Sequence, residues 1–287
     1  MENKRVGFIG LGAMGLPMAK NLQKNGYDLH ITAHNNRKPV EELTSMGAVE
    51  HSSAADAVSN SEVIISILPA DKEMESVLLS EEVLNVLTPG HFLIEMTSGS
   101  PEMMKKVHAA YQQKGIPVLD GPVSGGTAGA ENGTLTVMAG GDADVLERLR
   151  PVLESMATNI YLVGSVGDGK AIKAINQMLA GIHMAAAAEA VALAEKLEID
   201  MDKLKAVVGS SSGNSWMLEN KMDGLIRRDF TPGFKLNLMK KDIQIAVNEG
   251  NGKQLPLANY VLDLFKQSEK DAGEKDFSAV GRSSLSS

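Results

Sequence analysis

Arg5-Val-Gly-Phe-Ile-Gly10-Leu-Gly-Ala-Met-Gly15-Leu-Pro-Met-Ala-Lys-Asn-Leu22 is the stretch whose reading decides the fold. Val6 to Ile9 form a short apolar run, long enough for a buried strand. Gly10, Gly12 and Gly15 follow in the spacing G-x-G-x-x-G. A helical pattern then runs to Asn25 and stops at Gly26, a C-terminal capping residue. Each glycine has a separate task. Gly10 lets the chain turn sharply, Gly12 lets the backbone approach a pyrophosphate, and Gly15 lets the helix pack close to the strand. The helix N-terminus then offers N–H groups and a partial positive charge to the phosphates. A dinucleotide site follows, with a glycine-rich structural turn as the bland alternative.

Composition bounds the rest. A chain of 287 residues predicts two domains. Hydrophobic residues at 43% and charged residues at 22% suffice for a sizeable core. A net charge of -8 argues against nucleic acid and against anionic membrane surfaces as partners. It leaves room for an anionic substrate in a local cationic pocket. The absence of cysteine excludes disulfides, thiolate catalysis and cysteine-ligated zinc. His30, His51, His91 and His108 stand singly, so no metal site is expected. The N-terminus enters a strand without a signal-peptide pattern, and a cytoplasmic protein is the expectation. The longest uncharged stretch, Ala174 to Ala188, is too short to span a bilayer.

Strand-like runs at Val6–Ile9, Leu29–Thr32, Val63–Leu68, Phe92–Met96, Pro117–Leu119, Leu135–Ala139 and Ile160–Val163 alternate with helical patterns. Met14–Lys24, Pro39–Met46 and Pro101–Lys114 are examples of the latter. This alternation predicts an α/β domain, a Rossmann-type doubly wound and mostly parallel sheet with helices on both faces. It stops near Val163, and the remainder reads as helix. Gly164–Gly169 looks like a joint, which sets the expected domains at 1–164 for the dinucleotide and 165–287 for an all-helical unit. A long interdomain helix from about Lys170 to Leu197 opens the second domain. Its alanine-rich centre predicts a helix buried all round, between domains or subunits. Further helices are expected after the N-cap Asp200 and over Trp216–Ile226, Leu236–Glu249 and Pro256–Lys270, with a frayed tail at Arg282–Ser287.

The end of the second strand carries the choice of cofactor. An acid about 20 residues past the fingerprint binds the ribose 2′-hydroxyl of NAD. The stretch Thr32-Ala-His34-Asn-Asn36-Arg37-Lys38 has none. Arg37 and Lys38, helped by Asn36, could instead meet a 2′-phosphate. NADP is therefore the expected cofactor and NAD the lesser alternative; a solvated turn before Pro39 is the plain reading. His34 could touch adenine or ribose, or lie on the surface.

Asp120-Gly-Pro-Val-Ser124-Gly125-Gly126 follows a strand. Consecutive N–H groups there can form an anion nest for a substrate carboxylate, with the Ser124 hydroxyl as a further donor. A simple turn is the alternative. In Gly167-Asp-Gly169-Lys170-Ala-Ile-Lys173-Ala-Ile-Asn176-Gln177, Lys173 shares a helix face with Asn176 or Gln177. A lysine on a mostly buried helix needs a partner or a function. Its ammonium could stabilise an alkoxide and deliver a proton, or pair structurally. Lys170 reads as a solvated first-turn residue and His183 as a packed core histidine. Trp216 is open between core and substrate wall.

Together these motifs resemble the β-hydroxyacid dehydrogenases, the family of 3-hydroxyisobutyrate dehydrogenase, tartronate semialdehyde reductase and glyoxylate/succinic semialdehyde reductase. The likeness spans nearly the whole chain. Gly10-Leu11-Gly12-Ala13-Met14-Gly15 looks like the family's cofactor signature, Asp120–Gly126 like its substrate motif, and Gly167–Gln177 like its catalytic motif. Lys241-Asp242 looks like its late cofactor contact. The resemblance implies that Lys173 is the catalytic lysine and that Asn176 orients substrate or lysine. It implies that Ser124, Gly125 and Gly126, with Gln177 nearby, hold the substrate. Ser98 and Lys241 would contact the nicotinamide end, and Leu68-Pro69 the cofactor's side. Two departures stand out. The turn His34–Arg37 is one residue longer than usual, and Asn176–Glu189 with Gly213–Met222 resembles the branch containing threonate dehydrogenases.

The implied function is an NADPH-dependent reductase of small anionic aldehydes, reversible as a 3-hydroxyacid dehydrogenase, in a homodimer or homotetramer. A threonate-type sugar-acid dehydrogenase and a sulfolactaldehyde reductase are the runners-up. An imine reductase and a non-catalytic NADPH-binding protein are more distant alternatives.

Overall fold

A computed structural model describes residues 4–285. The chain forms two compact units, Met1–Lys173 and Ala174–Ser287. The first comprises β1 (Arg5–Ile9), α1 (Gly15–Lys24), β2 (Asp28–Thr32), α2 (Lys38–Ser45), β3 (Val49–His51), α3 (Ala54–Ser59), β4 (Val63–Ser66), α4 (Asp71–Leu78) and α5 (Glu81–Val86). It continues with β5 (Phe92–Glu95), α6 (Pro101–Gln112), β6 (Val118–Asp120), β7 (Val123–Ser124), α7 (Gly126–Asn132), β8 (Leu135–Gly140), α8 (Ala143–Glu154) and β9 (Ala157–Gly164).

One sheet runs in the order β3-β2-β1-β4-β5-β6-β8-β7, with β9 on β8. All pairings from β3 to β6 are parallel. β8 is antiparallel to β6 and β7 and parallel to β9. The central strands β4 and β5 are buried at every residue, as a parallel sheet covered on both faces requires. Their side chains divide by the strand period of two. Val6, Phe8, Val63, Ile65, Phe92 and Ile94 enter one core with α1, α2 and α8. Ile9, Ile64 and Leu93 enter another with α3, α4, α5 and α6. This is the doubly wound α/β architecture that the sequence predicts.

Two short strands are additions to the sequence reading. β3 has three residues, two of them polar, and is recognisable only through its pairing with β2. The rings of His30 and His51 meet across that pairing, with Nδ1 and Nε2 2.8 Å apart. β7 has two residues between Pro122 and Gly125 and pairs with β8.

The long helix α9 (Asp168–Lys196) passes from the first unit into the second. The second unit is built from it, α10 (Met201–Gly209), α11 (Trp216–Arg227), α12 (Leu236–Glu249), α13 (Pro256–Ala272), a 3-10 turn (Phe277–Gly281) and α14 (Arg282–Leu285). Met184, Ala188 and Val191 pack with Met222, Leu225, Ile243 and Phe265 in its core. Gly181 is needed there, since a Cβ would come within 2.5 Å of Ile243 Cδ1. Asp276 ties the C-terminal end down. Its carboxylate accepts from the N–H groups of Gly233, Phe234 and Ser278, the Ser278 hydroxyl and the Lys221 ammonium. Burial opposes that charge, but Lys221 and Ser278 outweigh it and hold the Asp276 pKa below the usual carboxylate value.

Several expectations are corrected. α9 is not buried all round within this chain. Ile172, Ile175, Leu179 and Leu193 are exposed on it, and so is His183, which is no core residue. Trp216 is 61% exposed and does not belong to the core. Arg282–Leu285 is helical rather than frayed, with Leu285 buried and its carbonyl accepting from Arg228. Ser286 and Ser287 lie outside the described residues.

Candidate active site

The turn after β1 has the geometry of a phosphate cradle. Gly10 has φ +103°, and a Cβ there would come within 2.1 Å of the Ile67 carbonyl oxygen. A Cβ on Gly15 would lie 1.8 Å from the Gly10 oxygen. Both positions therefore exclude a side chain. Gly12 differs, since a Cβ on it would meet nothing within 4 Å. Its surface is open, as close approach by a ligand demands. No side chain caps α1 at Met14, whereas Ser53, Ser80, Ser100 and Asp142 cap α3, α5, α6 and α8. The N-terminus of α1, where the Leu16 N–H bonds to the Gly12 carbonyl, presents its dipole to an anion. Leu11 and Met14 are half-buried and Ala13 is exposed along this turn. The residues present fit a dinucleotide pyrophosphate.

At the end of β2, Asn36, Arg37 and Lys38 are all exposed. Asn36 Oδ1 accepts from the Lys38 N–H at 3.2 Å, which fixes the turn into α2. His34 is exposed as well.

The segments after β4, β5 and β6 and the start of α9 are joined by one buried network. Lys170 is its centre, and it is fully buried rather than solvated. Its Nζ lies 2.5 Å from Glu95 Oε2, 3.0 Å from Asp120 Oδ1 and 3.1 Å from the Glu95 carbonyl oxygen. Asp120 Oδ2 accepts from the N–H groups of Gly167 and Lys170, both at 3.0 Å. Asp120 therefore caps α9 from a distant strand. That contact explains Gly169, whose Cβ would lie 2.4 Å from the Met138 carbonyl oxygen and 2.9 Å from Asp120 Oδ2. Glu95 also accepts from Ser66 Oγ, the Thr97 N–H and the Thr97 hydroxyl. Thr97 Oγ1 in turn accepts from the Leu68 N–H at 2.8 Å. Pro69 follows exposed, and Ser98 follows half-buried.

Taking three charged groups out of water costs several kcal/mol per ion, and only dense pairing offsets it. Burial pushes the Glu95 carboxyl up, against the pull of Lys170 and Thr97. Burial also works against the Lys170 ammonium, but Asp120 and Glu95 outweigh it and raise its pKa. Lys170 is thus held as a cation.

Four residues past Asp120 comes the open loop. Gly125 has φ +132° and Gly126 φ +62°, and both are exposed. These two successive exposed glycines stand at the start of α7, beside the half-buried Ser124. Three residues past Lys170 comes Lys173, 7% exposed. One residue, Asp120, therefore fixes both the backbone leading to the loop and the turn of α9 that carries Lys173.

In the second unit, Asn176 Nδ2 donates to Gln177 Oε1 at 3.1 Å, and Gln177 Nε2 donates to Asp242 Oδ2 at 2.8 Å. Lys241 Nζ lies 3.0 Å from Asp242 Oδ1. Three residues singled out from the sequence, Asn176, Gln177 and Lys241, are strung together by Asp242. That role of Asp242 was not foreseen. Its signal is positional, since it falls on the buried stripe of Leu236, Met239, Ile243 and Ala246 in α12. Among the described residues no group of three or more His, Asp and Glu could hold a metal ion.

Comparison with known proteins places the chain in a family. Residues 5–164 match the model of the NAD binding domain of 6-phosphogluconate dehydrogenase. Residues 167–283 match the NAD-binding domain of NADP-dependent 3-hydroxyisobutyrate dehydrogenase. The NAD-dependent L-serine dehydrogenase of Pseudomonas aeruginosa is 38% identical, covering 96% of this chain and 96% of that protein. The 2-hydroxy-3-oxopropionate reductase of Escherichia coli is 36% identical, covering 96% and 95%. The solved structure of Mycobacterium tuberculosis 3-hydroxyisobutyrate dehydrogenase with L-serine superposes with a TM-score of 0.90 at 33% identity, covering 98% and 99%. The fold and these relatives are those of an NAD(P)-dependent oxidoreductase acting on a CH–OH group. The chain belongs to the β-hydroxyacid dehydrogenase family, as a dehydrogenase of the 3-hydroxyisobutyrate dehydrogenase and semialdehyde reductase type.

Proposed function

We propose that this protein is an NADPH-dependent reductase of small anionic aldehydes, working in reverse as a 3-hydroxyacid dehydrogenase. The observation that carries the proposal is the buried Lys173, held through Asp120 to the segment that ends in the open Ser124–Gly126 loop. Residues 1–164 bind the dinucleotide, and residues 165–287 complete the substrate site and the oligomer. Gly10 to Gly15 receive the pyrophosphate, and Asn36, Arg37 and Lys38 receive the 2′-phosphate. Leu68, Pro69, Ser98 and Lys241 are assigned to the cofactor's nicotinamide end. When bound, the cofactor supplies or accepts the hydride.

The substrate carboxylate rests on the Ser124 hydroxyl and the N–H groups of Gly125 and Gly126. Asn176 and Gln177 orient the substrate from α9. Asn176 gives one amide hydrogen to Gln177 and offers the substrate its second hydrogen and its carbonyl oxygen. In reduction a C–H bond forms at the carbonyl carbon and the C=O π electrons move to oxygen. Lys173 Nζ stabilises the nascent alkoxide and gives it a proton. In oxidation the neutral amine takes the hydroxyl proton back. The substrates in the relatives' names, L-serine and 2-hydroxy-3-oxopropionate, both carry a carboxylate, which supports an anion-binding loop.

The test is a rate comparison. NADPH consumption is followed with glyoxylate, succinic, tartronate and methylmalonate semialdehydes and sulfolactaldehyde, each beside an uncharged analogue. Turnover is expected with at least one anion and much less with its neutral partner. Binding of NADPH without turnover of any of them would instead mark a non-catalytic binder. The exposed apolar stripe of α9 supports a homodimer or homotetramer, and sedimentation as a monomer at micromolar concentration would overturn that; the cytoplasm is its proposed location.

A further inference from the structure

The segment from Thr32 to Lys38 contains no acid, yet the fold brings one to it. β3 pairs in parallel with β2, Ile31 opposite Glu50 and Thr32 opposite His51. Glu50 therefore stands beside the carboxyl end of β2, where a Rossmann-type sheet presents its adenosine ribose. Arg37 Nη2 lies 3.0 Å from Glu50 Oε1 and 3.0 Å from Glu50 Oε2. Glu41, one turn into α2, adds a second carboxylate 4.0 Å from Arg37 Nε.

The guanidinium assigned to the 2′-phosphate thus already has carboxylate partners. The Arg37 and Glu50 side chains are 58% and 33% exposed. A pair this open contributes little to stability and exchanges readily. A guanidinium edge engages one oxyanion well at a time. An incoming 2′-phosphate therefore displaces the Glu50 oxygens or binds the rest of the guanidinium, beside a like charge in either case. A ribose with a plain 2′-hydroxyl brings no charge and leaves the pair intact.

We propose that Glu50 is a specificity-determining residue for the cofactor: by holding Arg37 it weakens NADP binding, leaves NAD binding unchanged, and so narrows the preference between the two. The proposal rests on the assignment of Arg37 to the 2′-phosphate, and the experiment separates them. Dissociation constants of the full-length protein are measured by calorimetry for NADP and NAD, and for 2′,5′-ADP and ADP as probes of this subsite alone. Glu50→Gln is expected to bind NADP and 2′,5′-ADP about three- to tenfold more tightly, with NAD and ADP unchanged. The gain should shrink near 1 M salt, where the screening length is about 3 Å. Arg37→Ala is expected to weaken NADP and 2′,5′-ADP alone. If Arg37→Ala weakens NADP but Glu50→Gln leaves it unchanged, or weakens NAD instead, the role of Glu50 is overturned and that of Arg37 stands. If Arg37→Ala leaves NADP unchanged, the assignment of Arg37 fails and the proposal with it.

Discussion

Lys173→Ala is expected to lower kcat by about a thousandfold while leaving cofactor affinity nearly unchanged. A positioned general acid contributes roughly a hundred- to ten-thousandfold to a rate. Lys173 is buried and stands one helical turn from Asn176 and Gln177 on α9. Removing its ammonium leaves the new alkoxide without this proton donor. Cofactor affinity should hold, because the phosphate cradle is built from the turn after β1. Lys173→Met, which retains most of the side-chain volume, should lose as much activity with less effect on packing. Lys173→Arg keeps a cation beside the alkoxide, but a guanidinium neither gives up nor takes back a proton near neutral pH, so both directions should fall. Steady-state rates and calorimetric titration with NADPH read these outcomes. A Lys173→Ala variant that kept a tenth of the activity would remove this lysine from the chemistry.

Lys170→Met is expected to destabilise the protein by about 3–5 kcal/mol. The substitution leaves Glu95 and Asp120 facing each other, fully buried, without their cation. For a unit of this size that loss lowers the melting temperature by roughly 10 °C. Activity should fall too, because the same contacts hold the first turn of α9. The double variant Lys170→Met with Glu95→Gln removes one of the stranded charges, so it should recover part of the loss. Thermal melts of the three proteins check this. A single variant melting with the wild type would mean that the network adds no net stability.

How much of this was legible in the sequence depends on where each partner lies. The β1 turn could be read directly, since strand, glycines and helix are contiguous and each glycine has a local task. The strand–helix alternation up to Val163 was legible for the same reason. Lys170 was misread because its partners are remote in sequence. A lysine after Gly-Asp-Gly, in a first helical turn, looks solvated. The available hint lay elsewhere, in Glu95 and Asp120 at the ends of apolar strands, two acids that burial would leave in need of a cation. Glu50 was hidden by the same logic, because only the parallel pairing of β2 with β3 carries it to Arg37. β3 itself escaped notice because three residues with two polar side chains show no periodicity. The alanine-rich centre of α9 predicted burial correctly for Met184, Ala188 and Val191. Composition alone could not show that Ile175, Leu193 and Leu197 lack cover within this chain.

The central claim is that a hydride reaches the carbonyl carbon of a small anionic aldehyde while Lys173 protonates its oxygen. The most direct measurement uses NADPH deuterated at the reactive nicotinamide carbon, with the best aldehyde of the panel and mass spectrometry of the product. The wild type is expected to yield a hydroxyacid carrying one deuterium on its carbinol carbon, and Lys173→Ala almost none over the same time. A product without deuterium, or equal labelled product from both proteins, would contradict it.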